Sequence, residues 1–165
     1  MPDLTILGAA YGLGCRTAQM RSIQSEQGNS DTVKVTANNK TFGDTWKGED
    51  KSLVIVYQYS GYPSMVSITQ EGDTVTISPP DYAAPGKQNP KGFLALGAAY
   101  GLGDVTDKTN SHVQDNALEI TANNDTFFDS WKGKEKSYVA VFNNDGGNPY
   151  MVIVKEGTYI SVSDQ

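Results

Sequence analysis

The sequence predicts an all-β chain of two tandem antiparallel β-sandwich domains, Ig-like or Greek-key in type, arisen by internal duplication. Three observations predict it. Leu7-Gly8-Ala9-Ala10-Tyr11-Gly12-Leu13-Gly14 returns unchanged as Leu96-Gly97-Ala98-Ala99-Tyr100-Gly101-Leu102-Gly103, 89 positions later. Each copy holds about six short segments of alternating or β-branched residues, separated by turn formers at about ten-residue spacing. No segment sustains a helical period over three turns. The domains are placed at residues 1–78 and 93–165, joined by a linker at 79–92 that holds four of the seven prolines.

In the first copy, residues 4–10 read as a short strand that Gly12 and Gly14 break. The repeated glycines Gly8, Gly12 and Gly14 are read as a bend at a strand end with positive φ. A phosphate-binding glycine fingerprint would need a following helix and a parallel sheet, and neither is expected here. Residues 15–24 fit a strand or a helical turn equally. Residues 32–37 alternate apolar and polar, as a half-buried strand does. Residues 38–48 form a long loop of turn residues around Phe42 and Trp46. Residues 52–59 are the strongest strand, and their lack of charge places them inside a sheet rather than at its edge. Two turns and two more strands, 65–69 and 74–78, close the copy.

The second copy repeats the plan with strands at 93–99, 117–121, 137–142, 151–155 and 159–163, and the long loop at 121–133. The spacing between copies falls from 89 to 85 because the first carries four extra residues near 24–30, read as an exposed loop.

The chain carries 19 acidic and 13 basic side chains, a net charge of -6. Such a balance offers no electrostatic footprint for nucleic acid or an anionic membrane. No apolar run approaches the roughly 18 residues of a membrane-spanning helix. The first residues lack the basic and apolar regions of a secretory signal, so a cytoplasmic location is expected. The single cysteine, Cys15, excludes an internal disulfide.

Candidate functional residues cluster in the long loop. Trp46 and Trp131 are the two tryptophans and occupy equivalent places. Each is read first as a plug clustered with Phe42 or Phe127, with a platform that stacks on a sugar ring as the rival reading. In the platform reading Asn38, Asn39 and Asp44, with Asn123, Asn124 and Asp129, complete two equivalent sites. Asp104, Asp107 and Asp125 supply oxygen ligands of the kind calcium takes. Their first-copy counterparts are Cys15, Ala18 and Lys40, so no duplicated metal site is expected, and turn formation accounts for the same acids. His112 and Cys15 fall in different copies, so no catalytic pair is expected. Glu71 and Glu156 sit in Glu-Gly turns, a usual place for a solvent-facing acid.

Ala99-Tyr100-Gly101, Asp104-Val105-Thr106, residues 124–137 and Val154-Lys155-Glu156-Gly157 together resemble a small β domain of unassigned function. That domain occurs alone, in tandem, and at the C-terminus of some DnaJ-type co-chaperones. The first copy matches at Phe42-Gly43-Asp44, Lys51-Ser52-Leu53-Val54 and Glu71-Gly72, and departs at Cys15-Arg16. The resemblance implies a β fold and no particular activity. A likeness to βγ-crystallins is architectural only, and architecture does not establish function.

The sequence therefore favours a non-enzymatic, soluble structural or storage-type protein, crystallin-like in role and without a cofactor. Its rival is a bivalent, lectin-like carbohydrate-binding module, in which linked weak sites gain from effective concentration. Nucleic acid and membrane are excluded as partners. A carbohydrate, a protein, or a second copy of the chain remain.

Overall fold

The computed structural model describes residues 2–29, 31–81, 89, 91–145 and 148–164. The centre of the expected linker, 82–88 with 90, lies outside them. The first half runs β1 (Leu4–Tyr11), β2 (Gly14–Cys15), α1 (Thr17–Glu26), β3 (Val33–Thr36), α2 (Asn39–Phe42), β4 (Ser52–Tyr59), β5 (Met65–Gln70) and β6 (Thr74–Ile77). The second runs β7 (Leu94–Tyr100), β8 (Gly103–Asp104), α3 (Thr106–Ser111), β9 (Val113–Gln114), β10 (Ala117–Thr121), α4 (Asn124–Phe127), β11 (Ser137–Asn143), β12 (Tyr150–Lys155) and β13 (Tyr159–Ser163). The described chain is mostly β, and every strand pairing is antiparallel.

Each half builds a four-stranded sheet, ordered β2-β1-β4-β5 or β8-β7-β11-β12. One face of the first sheet is covered by its own half. Met20 of α1, Val33 and Val35 of β3, Phe42 of α2 and Ile77 of β6 pack on Leu4, Ile6, Ala9, Tyr11, Leu53, Ile55 and Tyr59. The Tyr59 hydroxyl donates to the Asp31 carbonyl at 2.6 Å, and burial pushes its pKa up to about 12. The second half repeats this arrangement around Tyr100, Leu118, Phe127, Tyr138 and Phe142. The layer over each sheet is a helix with a second, smaller antiparallel sheet, β3-β6 in the first half and β13-β10-β9 in the second.

The other face of each sheet is covered by the other half. Ala10, Val54, Ala99 and Val139 form one shared cluster, and Val56, Leu96 and Val141 another. The central strands β4 and β11 are therefore buried on both faces. This is why Ser52–Tyr59 is apolar at nearly every position instead of alternating. The approach is close. A Cβ added to Gly8 would lie 2.6 Å from Val141 Cγ2 and 2.7 Å from Met151 Cε. One added to Gly97 would lie 2.6 Å from Val66 Cγ2 and 2.8 Å from Val56 Cγ1. The contact is reciprocal, because Val141 and Met151 are the second-half counterparts of Val56 and Val66.

These contacts revise the reading of the repeated glycines. Gly12 and Gly101 do bend the chain with φ of 58° and 60°, but Gly8 and Gly97 serve close sheet packing. The register of β1 on β4 shifts between Ile6 and Gly8, a bulge that moves the core-facing side chains from Leu4 and Ile6 to Ala9 and Tyr11.

The segment 15–24, open to a strand or a helical turn from sequence, splits between the two: Cys15 ends β2, and α1 begins at Thr17 and runs ten residues, longer than a single turn. A helix does therefore follow Gly12-Leu13-Gly14, yet the antiparallel sheet leaves the phosphate fingerprint inapplicable. The helix fastens the bulge through polar groups: Arg21 Nη2 donates to the Ile6 carbonyl at 2.8 Å, and Gln24 Nε2 to that of Leu4 at 2.9 Å. In the second half Asn110 does the same, with Nδ2 donating to the Ala95 carbonyl at 3.0 Å. The four extra residues of the first copy lengthen this helix from six residues to ten.

Candidate functional site

The long loops hold the residues singled out from sequence, and each loop is organised by a buried lysine. Asn38 caps α2, its Oδ1 accepting from the Thr41 amide at 2.8 Å. Asn39 Oδ1 accepts from the Tyr11 hydroxyl at 2.8 Å. After Phe42 the chain turns at Gly43 with φ 79°. Asp44 Oδ1 then accepts from the Trp46 amide at 3.4 Å and pairs with Lys51 Nζ at 2.9 Å.

Lys51 is only 3% exposed. Its Nζ also donates to the Glu49 carbonyl at 3.0 Å, lies 3.6 Å from Glu71 Oε2 and sits 5.9 Å above the Tyr11 ring. Its amide donates to Glu71 Oε2 at 3.0 Å. One side chain thus joins the loop, the start of β4 and the β5–β6 turn. Glu71 is turned inward onto this lysine and is 25% exposed, not the freely solvated acid its Glu-Gly turn suggested.

The second half builds the same network. Asn123 caps α4, and Tyr100 donates to Asn124 Oδ1 at 2.9 Å. Lys136 Nζ lies 2.8 Å from Asp129, 3.7 Å from Glu156 and 5.8 Å above the Tyr100 ring. Lys134 reaches across to Asp50 at 2.5 Å, so the two loops meet. The lysines were not among the candidate residues. Their signal is a lysine directly before each apolar strand, repeated with its two acids at the 85-residue spacing.

Hydrogen bonding to Lys51 holds the Asp44 carboxyl below its ordinary 3.8, against the opposing effect of desolvation. Lys136 lowers Asp129 in the same way. A carboxyl depressed in the folded state stabilises the fold above its unfolded pKa, and that contribution is lost as pH falls through the folded value. The melting temperature is therefore expected to fall on acidification below about pH 4. The double variant Asp44→Asn, Asp129→Asn should show a shallower fall. An unchanged slope by scanning calorimetry would remove these carboxyls from the acid limb.

Phe42 packs on Tyr11, with ring centroids 5.4 Å apart, and Phe127 stacks on Tyr138 at 5.1 Å. Trp46 and Trp131 belong to none of the core clusters and are partly exposed. The expected pairing of indole with neighbouring phenylalanine is absent because α2 and α4 turn the phenylalanines inward, ahead of the tryptophans.

The remaining candidates are dispersed. Asp104 Oδ1 accepts from the Thr106 hydroxyl at 2.6 Å and its amide at 3.0 Å, opening α3. Asp107 and Asp125 are exposed on α3 and α4. No group of three or more His, Cys, Asp or Glu side chains among the described residues is arranged to hold a metal. The exposed Cys15 thiol lies 3.5 Å from the Thr17 hydroxyl. His112 ends α3, its amide donating to the Thr109 carbonyl at 3.0 Å.

The two loop ends differ at one place. The residue equivalent to Gly43 is Phe128, with φ 69° and ψ 163° against 79° and 161°. That backbone region belongs almost wholly to glycine, and holding another residue there costs on the order of 1–3 kcal/mol. Phe128 is nevertheless 59% exposed.

Against protein families, curated proteins and solved structures alike, the chain finds no match.

Proposed function

We propose that the chain is a non-enzymatic, lectin-like carbohydrate-binding protein, built as two tandem domains from an internal duplication, with its ligand taken at the long loops. The observation that carries this reading is the position of the indoles. Trp46 and Trp131 stay out of every core cluster and keep part of their surface in water. Burying an indole is worth far more than leaving it at a surface, so a partly exposed tryptophan beside polar loop residues suits a sugar's C–H face. Asn39, Asp44, Asn124, Asp125 and Asp129 are exposed in the same loops, where a sugar's hydroxyls would find acceptors.

The structural or storage role is the second reading. It is favoured by the side-chain oxygens of Asn38, Asn39, Asn123 and Asn124, which already accept hydrogen bonds from the fold itself. The resemblance to the small β domain of DnaJ-type co-chaperones is compatible with either role, since it implies no activity. Tryptophan fluorescence separates the two. Quenchable emission that a sugar protects from acrylamide supports the lectin reading. Emission indifferent to a broad panel of sugars leaves the structural role.

A further inference from the structure

We propose that the stronger of the two carbohydrate sites lies in the second half and that Phe128 adds a stacking platform there. This rests on the lectin reading above and assigns its site. Phe128 occupies a backbone conformation that the first half gives to Gly43, with φ of 69° and 79° respectively. A fold that needed only the turn would be served by glycine, as the first half shows. The ring is not hidden in return, being 59% exposed.

Part of the ring covers Gly103: a Cβ added there would lie 3.1 Å from Phe128 Cζ. The equivalent place over Gly14 is taken by the Arg16 guanidinium, whose Nη1 would lie 2.9 Å from an added Cβ. Arg16 is itself held, Nε donating to the Phe42 carbonyl and Nη1 to the Cys15 carbonyl, both at 2.8 Å. The counterpart of Arg16 is Val105, which is buried. Beside the equivalent Thr45 and Ser130, which lie over Gly14 and Gly103, the first half thus adds a tethered cation. The second adds the tip of a ring whose remaining surface faces water.

The surroundings favour a sugar. Residues 123–134 contain no aliphatic side chain beyond the threonine methyl, and Asn124, Asp125, Asp129 and Lys132 are exposed in the same segment as Phe128. A stable protein interface buries about 800 Å² on each partner, far more than one ring offers. One aromatic face among hydrogen-bonding groups matches the C–H face of a neutral pyranose in size and chemistry.

The test uses the full chain, uniformly labelled with nitrogen-15. It is titrated with methyl glycosides of glucose, galactose, mannose and N-acetylglucosamine and with their β-linked oligosaccharides. Binding of at least one is expected to shift amides of residues 123–134 first, and those of 38–49 only at about tenfold higher sugar concentration. Phe128→Gly, which copies the first half's turn, should weaken that binding about tenfold or more. It should also raise the melting temperature by about 2 °C as the strained backbone relaxes. Binding that shifts residues 38–49 first, or that Phe128→Gly does not weaken, would overturn the assignment and leave the lectin reading standing. No binding of any sugar would overturn both. Binding to phosphatidylcholine–phosphatidylserine vesicles that Phe128→Gly abolishes, with no sugar bound, would reassign the ring to lipid.

Discussion

Lys51→Met is expected to lower stability by about 3 kcal/mol, and Lys136→Met by nearly the same amount. Methionine keeps most of the buried stem and removes the charge, so the loss reports the ion network rather than a cavity. Without Nζ, Asp44 and Glu71 face each other beside the Tyr11 hydroxyl, and the Glu49 carbonyl loses its donor. Breaking a buried pair from one side costs about 3–5 kcal/mol. The low end applies because Asp44 and Glu71 stay 34% and 25% exposed and can rehydrate. Equality between the halves follows from geometry: the paired distances are 2.9 and 2.8 Å to the aspartates and 3.6 and 3.7 Å to the glutamates. Urea unfolding of the two variants checks both points. A loss below about 1 kcal/mol, the range of exposed ion pairs, would show that the lysines are not the organising groups of the loops.

Gly8→Val and Gly97→Val should be comparably damaging, for steric reasons. Each places a branched side chain where a single Cβ already falls 2.6 Å from a valine methyl of the opposite sheet. Overpacking a well-filled core costs about 1–3 kcal/mol. Here the upper part of the range is expected, because the obstruction lies between two sheets and valine has one soft torsion with which to evade it. The double variant should part the sheets and expose Val54, Val56, Val139 and Val141, which are now at most 1% exposed. Increased binding of a hydrophobic dye together with a lower urea midpoint is the expected result. Wild-type stability in either single variant would mean that the halves do not pack through these glycines.

Why the helix α1 was not legible follows from what its inner face does. An amphipathic helix announces itself by a stripe of apolar residues. Over residues 17–26 only Met20 is buried, with Ile23 partly so. Its remaining ties are polar: Thr17, Arg21 and Gln24 bond to the backbone of β1 at and near its bulge. A helix that docks by hydrogen bonds leaves little hydrophobic period to read. The bulge hid the period of β1 for a related reason, since one inserted residue moves every later side chain to the opposite face.

The loop chemistry was half legible. Asn38, Asn39, Asp44 and Trp46 stood out by type and by repetition in the second half. What each does depends on partners distant in sequence: Tyr11 for Asn39, and Lys51 with Glu71 for the acid. Phe128 is not among the residues that stand out in the sequence, because backbone strain is a property of φ and leaves no trace in residue type.

The sequence by itself determined the strand-rich class, the central position of Ser52–Tyr59 and the equivalence of the two halves. Those follow from local propensity, from apolar runs and from a repeat that needs no structure to be seen. Tertiary structure decided what covers each sheet. In each half one face meets a helix and a smaller sheet, and the other meets the opposite half. An apolar side chain carries the information that it is to be buried, not against what. The partner is chosen by shape and distance, and here two glycines set that distance.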